Sequence, residues 1–167
     1  MKKICLLLCC VLFLQVFTAC TGKNEEFEVP VNFYYCNRDI FYTSPSGVIQ
    51  AEIREGVNFN DDLIAFLNAY LQGPISSELQ SFIPSDAYLV SCSVRGDVAE
   101  VTFSSAFSRL SGVRLSMVCS AILMSAHDFS GVQTLHIQAK DALLDDKDEY
   151  VITLDELVLI DTATIEE

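Results

Sequence analysis

Two histidines, a serine pair, an acidic quartet, one turn with paired carboxylates and a few tyrosines are the residues of this chain whose types could do chemistry. His127 and His136 lack HxxxH or HExxH spacing and fall on different expected elements, a helix end and a strand, so they do not converge as metal ligands. Ser104-Ser105 follows a strand and precedes Phe107, where a nucleophile could sit on a strand-to-helix turn. The glycines of a GxSxG elbow and a partner triad are missing, and capping is the better reading. Asp145, Asp146, Asp148 and Glu149 crowd one loop as calcium ligands do, but Lys147 interrupts them and no central glycine follows, which fits a solvated acidic turn. Asp97 and Glu100 offer an acid–base pair for a peptidoglycan hydrolase, although exposed turn carboxylates are most simply solubilising. Tyr34, Tyr42 and Tyr70 offer stacking surfaces for a wall glycan or small solute in a chain without tryptophan. The balance predicts no catalytic residue, no metal site and no cofactor.

Cys20 carries a different chemistry. Residues 1–20 read MKKICLLLCCVLFLQVFTAC, with Lys2-Lys3 as a charged head, an apolar run from Ile4 to Phe17 broken only by Gln15, and Thr18-Ala19 before the cysteine. The run is too short to cross a hydrocarbon core of ~30 Å comfortably and suits a signal-peptide core. Its end resembles the bacterial lipoprotein signal, which implies a lipid on Cys20 as the first mature residue. Phe17 departs from the aliphatic residue usual there. Plain secretory cleavage after Ala19 and an uncleaved anchor are the alternatives.

Charge supports an anchor of this kind. The 167 residues include 10 basic and 23 acidic side chains, a net charge of −13, and loss of Lys2 and Lys3 leaves −15. Such a surface is repelled by nucleic acid and by anionic lipid headgroups, so no nucleic-acid partner is expected and membrane attachment must come from the lipid. Residues 1–19 are therefore expected as leader, 20–30 as a polar tether closed by Pro30, 31–161 as one folded domain and 162–167 as an acidic tail. Cys36, Cys92 and Cys119 remain in the domain with no CxxC or metal-knuckle spacing. Three thiols acting as small apolar residues is the favoured state, with one disulfide plus a free thiol as the alternative.

The elements that must position these groups follow from periodicity. Val31–Cys36 is a β-branched and aromatic strand. Ser44–Gly47 is a turn, and Val48–Arg54 a second strand with Ile49, Ala51 and Ile53 towards the core. Asn60-Asp61-Asp62 caps a helix of about three turns bearing Leu63, Phe66, Leu67, Tyr70 and Leu71, which Gly73-Pro74 ends. After a linker from Ile75 to Asp86, Tyr88–Val94 and Val98–Phe103 form a hairpin around Arg95-Gly96-Asp97. Val113–His127 is a second helix with Val113, Met117, Ala121 and Met124 on one stripe, stopped at Ser130-Gly131. Val132–Gln138 is a strand with Leu135 and Ile137 inward, and Tyr150–Leu154 and Leu157–Ile160 are short terminal strands. The order β-β-α-β-β-α-β predicts an α+β domain of two layers, one mixed sheet with two helices on one face.

Four segments in this order carry a family likeness: VNFYYC at Val31–Cys36, AYLQGP at Ala69–Pro74, LQSFIP at Leu79–Pro84 and VTFSSAF at Val101–Phe107. Together they resemble the GerMN domain, a sporulation and germination module, over roughly residues 30–140. Thr102 stands where that family often has aspartate, and Ala139-Lys140-Asp141 where it usually has a glycine-containing turn. The resemblance implies an extracytoplasmic, often lipid-anchored, non-catalytic domain of the cell envelope, with an α/β fold similar to ring-building modules and no catalytic residues to transfer. The partner expected is another envelope protein or a second copy, met through an unpaired sheet edge.

Overall fold

The computed structural model describes residues 30–39 and 47–157. The expected leader, Cys20, nearly all of the tether, Tyr42, most of the Ser44–Gly47 turn, most of the Leu157–Ile160 strand and the acidic tail lie outside them. The elements are β1 (Val31–Asn37), β2 (Ile49–Arg54), α1 (Leu63–Tyr70), β3 (Leu79–Gln80), β4 (Leu89–Arg95), β5 (Val98–Phe103), α2 (Gly112–Ser130), β6 (Thr134–Ala139) and β7 (Tyr150–Thr153). Short 3-10 turns occupy Ser105–Arg109 and Leu154–Glu156.

The fold is α+β in the expected order, with the two-residue β3 added inside the linker. Its strands divide into two sheets where one mixed sheet was expected: β2-β1-β3 and β4-β5-β6-β7. In the second, β5 and β6 run parallel across the α2 crossover and the other pairs are antiparallel. The division has a local cause. One edge of β1 pairs with β2 from Val31 to Cys36, while β3 covers only Cys36 and Asn37 on the other. At Tyr34 that other edge is filled by side chains: its N–H donates to Ser125 Oγ at 2.8 Å, and its carbonyl accepts from the Tyr70 hydroxyl at 2.9 Å. No backbone group remains there for a strand of the second sheet.

Helix α1 begins at Asp62, whose Oδ1 accepts from the N–H groups of Ile64 and Ala65 at 2.8 and 3.3 Å, and it buries Leu63, Phe66, Leu67 and Tyr70. It has about two turns instead of three, because Gly73 at φ +81° leads the chain out and donates its N–H to the Tyr70 carbonyl. Helix α2 buries Leu115, Val118, Cys119, Ile122 and Ala126. Val113, expected on the core stripe, is 75% exposed, since it lies two residues from Leu115 and so about 200° around the helix. Ala99, Val101, Phe103, Leu135 and Ile137 face the helices, and Glu100, Thr102, His136 and Gln138 alternate onto the outer face.

Strand β2 overturns the expected polarity. Ile53 is 64% exposed, and Glu52 and Arg54 turn inward instead. The Arg54 guanidinium lies 4.3 Å over the Phe33 ring, pairs with Glu52 and donates to the Gly73 carbonyl at 2.8 Å. Glu52 Oε2 accepts from the N–H groups of Ile75 and Ser76, each at 2.8 Å. An ion pair with this many partners can be buried, so charge does not mark the solvent face here.

Candidate functional site

The groups singled out for chemistry are held in separate structural bonds. His127 Nδ1 lies 2.9 Å from the Val132 carbonyl, at the end of α2, while His136 on β6 pairs with Glu149 at 3.1 Å. Ser104 is buried, and its Oγ accepts from the Tyr88 N–H at 3.2 Å, closing the base of the hairpin. Glu100 faces Ser93 and Arg95 across the β4–β5 pair. Asp145 and Asp146 form a two-residue turn between Leu144 and Lys147, both at positive φ as in type I′. Asp145 is more than a solvated acid, because its Oδ2 accepts from the Gly112 N–H at 2.9 Å and caps α2 from a distance. Among the described residues no group of three or more His, Cys, Asp or Glu side chains could hold a metal ion.

Cys36 and Cys119 are buried, Cys92 is half-buried, and all three are free thiols. Burial pushes Cys36 up to about 11 and also raises Cys92 and Cys119. Such thiols are poor nucleophiles. Tyr70 lies in the core and is lost as a stacking surface. Tyr34 is half-buried, its hydroxyl donates to Asp128 at 2.7 Å, and burial followed by that carboxylate pushes it up to about 12.

Sheet edges are where this domain leaves groups for a partner. In antiparallel pairs the residues with outward backbone groups alternate with those that pair. Arg95 and Val98 close the two-residue hairpin, so Cys92 and Val94 turn their N–H and C=O groups away from β5. On β7, Leu154 bonds Gln133, so Thr153 turns outward, and its N–H is taken by Glu156 Oε2 at 3.3 Å. At Tyr34 of β1 the closure is by Ser125 and Tyr70, as above. Among the described residues Cys92 and Val94 on β4 and Val151 on β7 have no such closure, and Val90, Val94 and Val151 are 40%, 45% and 45% exposed. β2 turns Ala51 and Ile53 outward too, likewise without a closing partner among the described residues. A bulge between Leu89 and Ser91 confines regular pairing on β4 to Ser91–Arg95. Ser125 is the edge-closing residue that periodicity could not single out, because a lone serine on an apolar stripe carries no sign of its partner.

The Germane family, described as sporulation and spore germination, matches residues 34–145. Among solved structures, the tandem GerMN domains of the sporulation protein GerM from Bacillus subtilis align with a TM-score of 0.54 at 20% identity, over 80% of this chain and 47% of that one. The chain thus spans about half the length of the tandem structure. The first GerMN domain of the same protein aligns with a TM-score of 0.52 at 12% identity, over 72% of this chain and 91% of that one. These are likenesses of fold. No curated protein matches the chain.

Proposed function

The chain belongs to the Germane family of sporulation and spore germination domains, and on that premise we propose that it is a non-catalytic interaction module of the cell envelope, held outside the cytoplasmic membrane by a lipid on Cys20. The family is not known for enzymatic activity, and two of the candidates here, Ser104 and Asp145, are committed to a strand closure and a helix cap. No helix among the described residues is long and apolar enough to cross a membrane. The charge of −13 disfavours adhesion to anionic lipid without an anchor.

The observation that carries the reading is the bare edge of β4, where two successive outward residues, Cys92 and Val94, lack a partner, whereas on the opposite edge Thr153 is capped and Val151 alone is bare. A partner would add one short extended segment, paired with Cys92 and Val94, its apolar side chains meeting Val90 and Val94. Two variants test the proposal in native envelopes. Cys20→Ala should abolish labelled-palmitate incorporation. Val94→Pro removes an outward N–H without touching the β4–β5 ladder, and it should abolish crosslinking to envelope partners or to a second copy while leaving the fold intact. Unlabelled native protein, or crosslinking that survives Val94→Pro, would overturn the anchoring and docking halves respectively.

A further inference from the structure

Between the end of α1 and the segment Ser81–Tyr88 lies a cleft of about 330 Å³, near the lower end of the ~300–1,000 Å³ range of small-molecule sites. Every residue lining it is uncharged, in a chain where 20% of residues are charged and the net charge is −13. Asn68 on α1 and Gln72 just past its end present amides from one wall, the Gln72 Nε2 donating to the Asn68 carbonyl at 3.5 Å. Ser81 and Ser85 present hydroxyls from the other, the Ser81 Oγ accepting from the Ile83 N–H at 3.3 Å. The Asn68 Nδ2 donates to the Ile64 carbonyl at 2.9 Å, which fixes the amide and leaves its oxygen free to accept. Tyr88 stands at the rim, 59% exposed. Its backbone is clamped on both sides by Ser104, through the Tyr88 N–H to Ser104 Oγ and the Ser104 N–H to the Tyr88 carbonyl at 2.8 Å. An exposed ring on a fixed backbone suits stacking more than core packing.

We propose that this cleft binds a neutral oligosaccharide, with the Tyr88 ring against the C–H face of a sugar and the amides and hydroxyls of Asn68, Gln72, Ser81 and Ser85 on its hydroxyl groups. A cation would be expected to meet a carboxylate and an anion a basic group, and the cleft offers neither. The stacking tyrosine is then Tyr88, in place of Tyr34, Tyr42 or Tyr70.

The test titrates the full-length chain, in a zwitterionic detergent, with chitotetraose and with cellotetraose, following amide and aromatic NMR shifts. Saturable shifts at Asn68, Gln72 and Tyr88 are expected with one or both tetramers, at a dissociation constant on the order of 1 mM. Binding of both marks a site for neutral β-linked sugars in general, and binding of chitotetraose alone marks one that needs the acetamido group. Tyr88→Ala should weaken binding roughly three- to tenfold, and Tyr88→Phe should retain it, which separates loss of the ring from loss of the fold. Val94→Pro should leave the titration unchanged, so failure of edge docking and failure of sugar binding are distinguishable. Absence of saturable shifts at about 20 mM of either tetramer, or an unaltered affinity in Tyr88→Ala, would overturn the assignment.

Discussion

The three-stranded sheet is packed with rings and the four-stranded sheet with branched aliphatic side chains, and the two halves finish their edges differently. Around β1, Phe33, Tyr35, Phe59, Phe66, Tyr70 and Phe129 form a continuous aromatic cluster, with Phe33 and Phe66 stacked at 4.7 Å and Phe66 and Phe129 at 4.4 Å. Around β5 and β6 the core is mainly Val101, Leu115, Ile122, Leu135 and Ile137, with one ring pair, Phe103 and Phe107. Rings bearing hydroxyls bring hydrogen-bonding groups into the core. The Tyr35 hydroxyl donates to the Tyr70 carbonyl at 2.8 Å, and the Tyr70 hydroxyl reaches the edge of β1. Aliphatic side chains bring none. The contrast suggests why β1 is closed to a partner strand at Tyr34 while β4 stays open at Cys92 and Val94.

The largest expected effect tests the packing half of this comparison. Phe33→Ala should cost about 3–5 kcal/mol in urea denaturation, because it removes a fully buried ring and the surface under Arg54, whereas Ile137→Val should cost about 0.5–1.5 kcal/mol. Equal losses would erase the distinction between the two cores. Next comes edge closure. Ser125→Ala leaves the Tyr34 N–H buried without a partner, so a loss of about 1–3 kcal/mol and faster hydrogen exchange at that amide are expected. If Ser125→Ala is as stable as the native chain, closure of β1 by side chains is not what separates the sheets.

The last expected effect is alkaline. Cys36 at about 11 and Tyr34 at about 12 hold their protons to higher pH in the folded chain than in the unfolded one, where they titrate near 9.0 and 10.0. The unfolded state therefore binds fewer protons in that window, and stability should be fully present below about pH 9 and decline as pH rises towards 12. The double variant Tyr34→Phe with Cys36→Ala should make the alkaline fall of the thermal midpoint shallower, with Tyr35, Tyr70, Cys92 and Cys119 left to supply the rest. An unchanged profile would place the alkaline sensitivity in those four other groups that burial raises.

Periodicity made much of the fold legible. The helices, the hairpin and the inward face of β6 follow from apolar spacing, from Asp62 as a cap and from Gly73 and Gly131 as stops. Most of the misreadings come from tertiary satisfaction of polar groups, whereas Val113 leaves the core stripe of α2 by helix geometry alone. Ile53 is exposed because Glu52 and Arg54 find partners in the turn after α1 and on the Phe33 ring, and a strand pattern weighs polarity without seeing those partners. The split into two sheets depends on Ser125, 91 residues from Tyr34, and β3 is too short for any period to show. Asp145 looked like one acid in a loop because the helix end it caps lies 33 residues earlier in the chain. An unpaired sheet edge is expected from the sequence as a kind of feature, but which strands leave theirs bare depends on caps that become visible only in three dimensions.

The serine that closes the first strand also sets a timetable. A chain made at about 5–20 residues per second exposes Tyr34 for roughly 5–20 s before Ser125 follows, since 91 residues separate them. Through that interval the strand has a sticky flank and no built-in guard. Until α2 is made, the first hairpin has nothing on that flank to lock against, so this half of the fold is completed only after the second helix is available.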